Sequence, residues 1–282
     1  MADSVISYIQ AGRLLSAKAE GAKQALITLD LGLSDSMVML THEGVVLSDN
    51  EGFVTWEQLE TIQQDETCCY RITGKEIIPI RLYSEHTGRV YSLMPTKGAP
   101  TLLISGIPMH RFKDIDPYED TRKKIKAAGA SFGKVLDTAT GLGYTAIQAS
   151  RKAIQVITVE RDEEVLQIAR QNPWSRELFE NPRITQIVGD AYEEIIHFGD
   201  GEFRLIIHDP PAFSLAGELY SAEFYRQAWR VLNQKGKMFH YIGDPASKMG
   251  AGVTRGVIRR LKEAGFSRIV HQPEAFGVLA MK

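Results

Sequence analysis

The sequence predicts an α/β protein in which a Rossmann-like, doubly wound sheet follows a small, mostly β N-terminal domain. Short apolar segments separated by Thr-Gly and Lys-Gly turns dominate residues 1–112. Over residues 113–282 the pattern changes, and apolar strands alternate with helical segments. Because such alternation implies a parallel sheet with helices on both faces, we expect two domains with these bounds.

Composition restricts the class of protein and of partner. The chain has 282 residues, a net charge of −2 and ordinary shares of apolar and charged residues, which is typical of a globular protein without a strong basic field. Its two cysteines, Cys68 and Cys69, are adjacent, so they make a poor structural disulfide and favour a reducing, cytoplasmic location. The sequence shows neither a signal peptide nor an apolar run of about 20 residues, so we expect no membrane span.

The N-terminal domain is predicted to open with a helix over residues 5–19, where apolar residues recur at helical spacing. Thr55-Trp56-Glu57-Gln58 fits a capping box that begins a second, short helix. Short β-strands are predicted between and after these helices, at residues 25–31, 36–40, 44–47, 69–72, 77–83, 89–93 and 101–104.

The second domain begins with a predicted helix at residues 117–128, whose first residue is a proline at a position that needs no N–H donor. Further strands are predicted at residues 134–136, 155–159, 184–188, 204–208 and 237–242, and helices at 144–151, 163–171, 222–232 and 253–264. The residues at the ends of the first four strands carry the candidate chemistry.

The first strand leads into Asp137-Thr138-Ala139-Thr140-Gly141-Leu142-Gly143, a loop that turns directly into a helix. Its glycines let the backbone approach a ligand closely, but a Gly-x-Gly-x-x-Ala pattern fits a dinucleotide site equally well. Asp137 changes this balance, because its carboxylate would repel a pyrophosphate and attract an ammonium group. The alternative is a strand-end turn whose glycines serve only its shape.

Acidic residues follow the second and third strands as well. Glu160 lies 23 positions after Asp137, close to the spacing typical of an acid that accepts hydrogen bonds from ribose hydroxyls. Asp190 can accept a hydrogen bond from an exocyclic adenine amine, although a helix N-cap is the commoner role of a single aspartate. Arg161 and Ala191 join the candidate cofactor-binding set, with a solvated charge as the simpler interpretation of Arg161.

The fourth strand ends in Asp209-Pro210-Pro211-Ala212-Phe213. Two prolines fix the backbone, Asp209 can hold an amine nucleophile, and Phe213 can stack on a flat group. This segment therefore predicts a rigid site that positions a substrate nitrogen. The simpler interpretation is a loop terminator with a buried Phe213.

Taken in order, Asp137-x-x-x-Gly141-x-Gly143, Glu160, Asp190 and Asp209-Pro-Pro-x-Phe213 resemble the motifs of class I S-adenosylmethionine-dependent methyltransferases. The fourth motif is similar to the signature of enzymes that methylate exocyclic amines of nucleobases or protein amides. The resemblance implies direct in-line methyl transfer from S-adenosylmethionine without a metal. The cofactor-binding residues that it implies are Asp137, Ala139, Gly141, Gly143, Glu160, Arg161, Asp190, Ala191 and Asp209, and the catalytic residues are Asp209, Pro210 and Phe213.

Two further resemblances leave the reaction open. Residues 219–228 and 231–236 are similar to spermidine synthases, which transfer an aminopropyl group from decarboxylated S-adenosylmethionine on the same fold. Residues 104–118 resemble an uncharacterised, mainly archaeal group of predicted methyltransferases, and this placement would bring His110 and Arg111 near the cofactor. An NAD-type or non-catalytic nucleotide-binding module is a third alternative, against which the Asp-Pro-Pro motif argues.

The remaining expectations concern partners and supporting residues. The methyl acceptor is expected to be RNA, a protein or a small amine, and a homodimer is a possible assembly. His208, inside the fourth strand, is interpreted as a packing residue. The residues expected to line the acceptor pocket are Tyr241, Gly243, Asp244 and Pro245, and those interpreted as a solvated helix face are Arg255, Arg259, Arg260 and Lys262.

Overall fold

The computed structural model describes residues 4–47, 52–129, 133–213, 215–243 and 248–282. The chain forms two compact units. The first, here called the N-terminal unit, consists of Met1–Tyr118 with Glu164–Arg176, and the second, the sheet unit, consists of Glu119–Glu163 with Glu177–Lys282.

Before residue 117, the described part of the N-terminal unit contains two helices and eleven short strands. The helices are α1 (Tyr8–Ala19) and α2 (Trp56–Gln63). The strands are β1 (Ser4–Ile6), β2 (Gln24–Ile27), β3 (Ser36–Leu40), β4 (Gly44–Val46), β5 (Phe53–Thr55), β6 (Tyr70–Thr73), β7 (Glu76–Pro79), β8 (Arg81–Ser84), β9 (Arg89–Met94), β10 (Thr101–Ile104) and β11 (Ile107–Pro108). These strands make antiparallel sheets in the orders β1-β6-β7, β2-β3-β4-β5 and β11-β10-β9-β8.

Capping explains where the two helices start. Ser7 and Gln10 form a capping box in front of α1, and Thr55 and Gln58 form another in front of α2. The capping box predicted at Thr55 is therefore confirmed. The first helix is shorter than predicted, because residues 4–6 pair with β6 as a strand.

One predicted strand of the N-terminal unit is wrong. Residues 77–83 form two strands, β7 and β8, which belong to different sheets. Pro79 ends the ladder with β6, since proline has no N–H to donate. Ile80 then turns inward, where its side chain is fully buried.

The strands that follow β11 in the described residues all belong to the sheet unit. The strands are β12 (Lys134–Asp137), β13 (Gln155–Glu160), β14 (Ile184–Val188), β15 (Phe203–His208), β16 (Leu232–Tyr241), β17 (Arg268–Gln272) and β18 (Gly277–Met281). The helices are α3 (Pro117–Ala128), α4 (Tyr144–Ser150), α5 (Glu163–Gln171), α6 (Arg176–Glu180), α7 (Ala191–Glu194), α8 (Ala222–Val231) and α9 (Lys248–Glu263).

A seven-stranded sheet in the order β14-β13-β12-β15-β16-β18-β17 organises the second unit. The five strands from β14 to β16 are parallel, and β18 is antiparallel to both of its neighbours. The predicted Rossmann-like α/β fold is confirmed, whereas the antiparallel pair β17 and β18 escaped the sequence analysis. Because parallel strands end at the same edge, the loops after β12 to β15 share one side of the sheet.

Each unit has its own apolar core. In the sheet unit, the buried cluster includes Leu136 of β12, Ile206 of β15 and Phe224 of α8. In the N-terminal unit, α1 and α2 contribute Leu14 and Leu59 to a separate cluster. Among the described residues, no helix combines the length and apolar character that crossing a membrane requires.

Candidate functional site

Four acidic residues end or follow four adjacent strands of the sheet unit. Asp137 is the last residue of β12, and Glu160 is the last residue of the neighbouring β13. Asp190 follows β14 beyond Gly189, and Asp209 follows β15 directly. The strand order β14-β13-β12-β15 therefore brings the four predicted acids to one edge of the sheet.

Asp137 is fully buried and incompletely satisfied. Its Oδ2 accepts hydrogen bonds from the hydroxyl groups of Thr145, at 2.8 Å, and Thr158, at 3.0 Å. Its Oδ1 has no hydrogen-bond partner among the described residues. The Ala139 amide lies near this carboxylate and favours its charged form, without completing a hydrogen bond to Oδ1. A buried carboxylate oxygen without a donor is costly, so this arrangement suits a cationic ligand.

The same burial changes the acidity of Asp137. Removal of the carboxylate from water raises its pKa to about 7, and the hydroxyl groups of Thr145 and Thr158 act in the opposite direction. The carboxylate of Asp209 adds to the rise. A cation placed beside Asp137 would relieve this cost.

The two glycines of the loop after β12 have different structural reasons. Gly141 has a φ of +52°, and a Cβ atom built on it would meet nothing within 4 Å. Gly143 has a φ of +78°, and its Cβ would lie 2.6 Å from a methyl group of Leu178. Gly141 thus leaves open space beside the loop, while Gly143 permits close packing at the start of α4.

Glu160 is held by backbone amides. Its Oε2 accepts a hydrogen bond from Gly141 at 2.9 Å, and its Oε1 accepts one from Asp162 at 3.2 Å. Desolvation raises the pKa of Glu160 to about 7, while these amides lower it. Each carboxylate oxygen can accept a second hydrogen bond, so the group retains the capacity to bind a pair of hydroxyls.

Asp190 and Arg161 have partners within the protein. Asp190 caps α7, because its Oδ1 accepts a hydrogen bond from the Tyr192 amide at 2.9 Å. Arg161 is half-exposed and lies 3.6 Å from Oδ2 of Asp190 and 3.4 Å from Oε1 of Glu218. Ala191 is buried as the first residue of α7. These contacts fit the simpler interpretations of both charged residues and leave their predicted part in cofactor binding a prediction.

The segment after β15 is fixed on one side and open on the other. Pro210 is buried, and the carbonyl oxygen of Pro211 accepts a hydrogen bond from the Tyr220 hydroxyl at 3.0 Å. Phe213 is 54% exposed, and its ring centroid lies 5.5 Å from that of Tyr220. The interpretation of Phe213 as a buried loop residue is therefore wrong, and its ring remains accessible to a flat group.

Lys124 is a residue of the site that the sequence analysis missed. It lies in α3 and is 1% exposed, and its Nζ is 2.6 Å from Oδ2 of Asp209. The same Nζ is 3.2 Å from Oδ2 of Asp120 and 4.2 Å from the ring centroid of Tyr241. The spacing of Asp120 and Lys124, four residues apart on a helix, was the available signal, but nothing local indicates a partner 85 positions away.

A buried polar network surrounds His208, the last residue of β15. His208 donates or accepts through Nδ1 with Thr138, at 2.6 Å, and its Nε2 lies 2.9 Å from the carbonyl oxygen of Leu219. Its ring centroid is 4.4 Å from that of His240, whose Nε2 lies 2.8 Å from the Tyr225 hydroxyl. Burial lowers the pKa of His208 to about 3. A neutral, packed imidazole agrees with the packing role that the sequence suggests.

Other predicted residues lie at varied places. His110 belongs to the N-terminal unit, where its Nδ1 is 2.9 Å from the Thr101 hydroxyl, and Arg111 follows it there. Arg260 is more than a solvated charge, because its Nε donates to the carbonyl oxygen of Tyr220 at 2.7 Å. Asp244 and Pro245 lie outside the described residues.

Known proteins with similar sequences were identified for this chain. A family model described as a methyltransferase domain matches residues 135–236. The uncharacterised protein MJ1233 of Methanocaldococcus jannaschii is 43% identical over 265 residues, which cover 93% of this chain and 90% of MJ1233. A polyamine aminopropyltransferase of Aeropyrum pernix is 31% identical over 110 residues, which cover 36% of this chain and 35% of that protein.

Solved structures with a similar fold include spermidine synthases. That of Thermotoga maritima has a TM-score of 0.56 and 19% identity, and the match covers 71% of this chain and 70% of the other. A spermidine synthase in complex with a transition-state analogue has a TM-score of 0.58 and 18% identity, with 71% of each chain covered. At such identities the likeness shows the fold alone.

The fold and the motif order define the class I S-adenosylmethionine-dependent methyltransferase type, and the resemblances to that class and to spermidine synthases are both confirmed. The chain belongs to the same family as MJ1233 and contains a methyltransferase domain over residues 135–236.

Proposed function

We propose that this protein transfers a methyl group from S-adenosylmethionine to an amine nitrogen. The observation that carries the choice of this ligand over a dinucleotide is Asp137, a fully buried carboxylate with one oxygen that lacks a donor among the described residues. A dinucleotide would bring a pyrophosphate to this loop, and two negative groups would repel each other. An amino-acid moiety brings an ammonium group instead, which Asp137 attracts.

The residues present fit such a ligand. Gly141 leaves space beside the loop, and Glu160 retains acceptor capacity for ribose hydroxyls. Asp137 would hold the amino group, with Ala139 and Gly143 shaping the loop, and Asp190 with Ala191 would lie toward the adenine. When bound, S-adenosylmethionine supplies an electrophilic methyl group that an acceptor nitrogen takes by direct in-line displacement.

The acceptor side is assigned to Asp209, Pro210 and Phe213. Asp209 would accept a hydrogen bond from the acceptor nitrogen and orient its lone pair, and the proline backbone keeps that direction fixed. The exposed ring of Phe213 would stack on a flat acceptor group. RNA, protein and small amines are the acceptor classes, in a cytoplasmic setting.

An aminopropyltransferase that uses decarboxylated S-adenosylmethionine is the second candidate. The match to the aminopropyltransferase of Aeropyrum pernix over 110 residues favours it. Both candidates place an ammonium group within the ligand, so Asp137 serves either of them. The methyltransferase domain model and the Asp-Pro-Pro motif favour methyl transfer.

The test is a transfer assay with two labelled donors. S-adenosylmethionine labelled in its methyl group and decarboxylated S-adenosylmethionine labelled in its aminopropyl group are each offered to tRNA, rRNA, a protein fraction and polyamines. Methyl incorporation that Asp209→Ala abolishes supports the proposal. Aminopropyl incorporation into a polyamine, without methyl incorporation elsewhere, would replace it by the second candidate.

A further inference from the structure

Asp209, the first residue of the Asp-Pro-Pro motif, belongs to a buried cluster of three charged residues. Lys124 and Asp120 come from α3, and Asp209 comes from the end of β15. The side chains of Lys124 and Asp120 are 2% and 0% exposed, whereas that of Asp209 is 17% exposed. Asp209 is thus the member of the cluster that reaches the surface of the site.

Two carboxylates and an aromatic ring surround the ammonium group of Lys124 and keep it charged. Its ammonium group lies 2.6 Å from Asp209, 3.2 Å from Asp120 and 4.2 Å from the ring centroid of Tyr241. Burial alone would lower the pKa of this amine, but the two carboxylates outweigh burial and raise it. Its three N–H bonds therefore have two carboxylates and a ring face within reach.

The hydrogen bond from Lys124 gives the two carboxylate oxygens of Asp209 different roles. Oδ2 accepts the hydrogen bond from Lys124, so Oδ1 is the oxygen left to face an incoming group. A buried lysine held on three sides has little freedom, and it fixes the direction of the carboxylate. The restraint comes from α3, a different element from the prolines that fix the backbone.

The charges around Asp209 oppose one another. Burial raises the pKa of Asp209, and the carboxylate of Asp120 adds to this rise. The ammonium group of Lys124 acts in the opposite direction, by charge and by hydrogen bond. Tyr220 and Tyr241 also face this cluster, and burial raises the pKa of Tyr220, with the negative charge of Asp209 adding to the rise.

We propose that Lys124 is a positioning residue that keeps Asp209 ionised and aimed, so that Asp209 accepts a hydrogen bond from the acceptor nitrogen without taking its proton. When the acceptor nitrogen forms its bond to the methyl carbon, the carbon–sulfur bond of the donor breaks and its electron pair stays on sulfur. The nitrogen then releases its proton to solvent. This assignment of roles rests on the proposed function, whereas the hold of Lys124 on Asp209 does not.

The first experiment follows the titration of Asp209 itself, without cofactor or acceptor. Protein labelled with ¹³C at the aspartate carboxyl carbon is titrated by NMR, and the Asp209 signal is assigned by its loss in Asp209→Asn. In Lys124→Met we expect the signal to titrate at least about one pH unit higher than in the wild type, as loss of an adjacent cation implies. Lys126→Met, which changes an exposed lysine of the same helix, should leave it unchanged.

Lys124→Met leaves two buried carboxylates without their cation and can therefore prevent folding. A second variant keeps the test decisive in that case. Asp120→Asn/Lys124→Met leaves one carboxylate and should show the same direction of change. An Asp209 signal that titrates at the wild-type pH in whichever variant folds would overturn the proposal.

The second experiment separates positioning from a general loss of structure. With a methyl acceptor, wild-type transfer should show no acid limb caused by Asp209 near neutral pH, while Lys124→Met transfer should rise with pH as Asp209 ionises. Equal loss at every pH would make Lys124 merely structural and would overturn its positioning role. If the wild type binds no S-adenosylmethionine, the proposed function fails, and the carboxyl titration still decides whether Lys124 holds Asp209.

Discussion

Asp137 and Asp209 end or follow neighbouring strands of one sheet, yet they are satisfied in opposite ways. Asp137 receives two threonine hydroxyls, which are neutral donors, and one of its oxygens has no partner among the described residues. Asp209 receives the ammonium group of Lys124 at 2.6 Å. Asp137 thus has only neutral donors among the described residues, and Asp209 has a cation of its own.

The difference indicates what each position receives. An uncompensated buried carboxylate is destabilising by itself and becomes favourable when a cationic group binds. A compensated carboxylate attracts cations weakly but still accepts hydrogen bonds in a fixed direction. Asp137 therefore suits the ammonium group of the donor, and Asp209 suits an uncharged nitrogen of the acceptor.

The largest expected effect is at Asp209. Asp209→Ala should reduce methyl transfer at least ~100-fold, the lower range for a positioned polar group, while the affinity for S-adenosylmethionine stays nearly intact. Single-turnover transfer and calorimetry measure the two quantities separately. Loss of cofactor binding without a further loss of transfer would move Asp209 to the cofactor side of the comparison.

Asp137→Asn should weaken cofactor binding by about 10–100-fold, the equivalent of a charged hydrogen bond of ~1.5–3 kcal/mol. The same change should stabilise the protein without cofactor above neutral pH. The pKa of Asp137 is raised from 3.8 to about 7, so between these values the folded protein keeps a proton that the unfolded chain has lost. The free energy of unfolding therefore falls as pH rises through this window, and Asn removes that loss, on the order of 1–3 kcal/mol.

Thermal unfolding at pH 5 and pH 8 checks this prediction. The wild type should lose stability relative to Asp137→Asn between the two pH values. Parallel curves for the two proteins would show that Asp137 is already ionised without strain, and the contrast with Asp209 would disappear.

The two loop glycines offer a matched pair with a smaller effect. Gly143→Ala combines a positive φ with a Cβ 2.6 Å from Leu178, so we expect it to lower the free energy of unfolding by about 2–3 kcal/mol. Gly141→Ala has the positive φ but open space, and about 1 kcal/mol is expected. Denaturant unfolding of both variants decides, and equal losses would contradict the packing argument at Gly143.

The smallest effect is expected at Arg161. Its side chain is half-exposed in ion pairs with Asp190 and Glu218, and pairs of this kind contribute under about 1 kcal/mol. Arg161→Ala should therefore change both stability and cofactor affinity only slightly. A drop in affinity as large as that expected for Asp137→Asn would instead return Arg161 to the cofactor-binding set.

Local sequence patterns predicted those helices and strands whose ends are marked within a few residues of the chain. The helix at 117–128 and the strand at 184–188 have the predicted bounds, because a proline start and an apolar run are visible in a short window. The antiparallel strands β17 and β18 were missed although Gly265 and Pro273 bound β17, because no functional motif marks them. The domain boundary at residue 112 stays a prediction.

The residues of the candidate site also fall into two groups, those that a local pattern marks and those that only a long-range contact brings together. The four acids were found because each follows a strand, and parallel strands end at one edge. Lys124 was not found, because its contact with Asp209 joins residues 85 positions apart and depends on how α3 packs within the sheet unit. Long-range pairing of this kind leaves no periodic signal in a single sequence.

Binding calorimetry with three ligands tests the central claim most directly. S-adenosylmethionine, decarboxylated S-adenosylmethionine and NAD are titrated into the same preparation of the full chain at pH 8, where Asp137 is ionised. We expect S-adenosylmethionine to bind with a dissociation constant on the order of micromolar, about −8 kcal/mol, and NAD to show no heat. Binding of NAD in preference to S-adenosylmethionine would contradict the account, and preference for the decarboxylated ligand would replace methyl transfer by aminopropyl transfer.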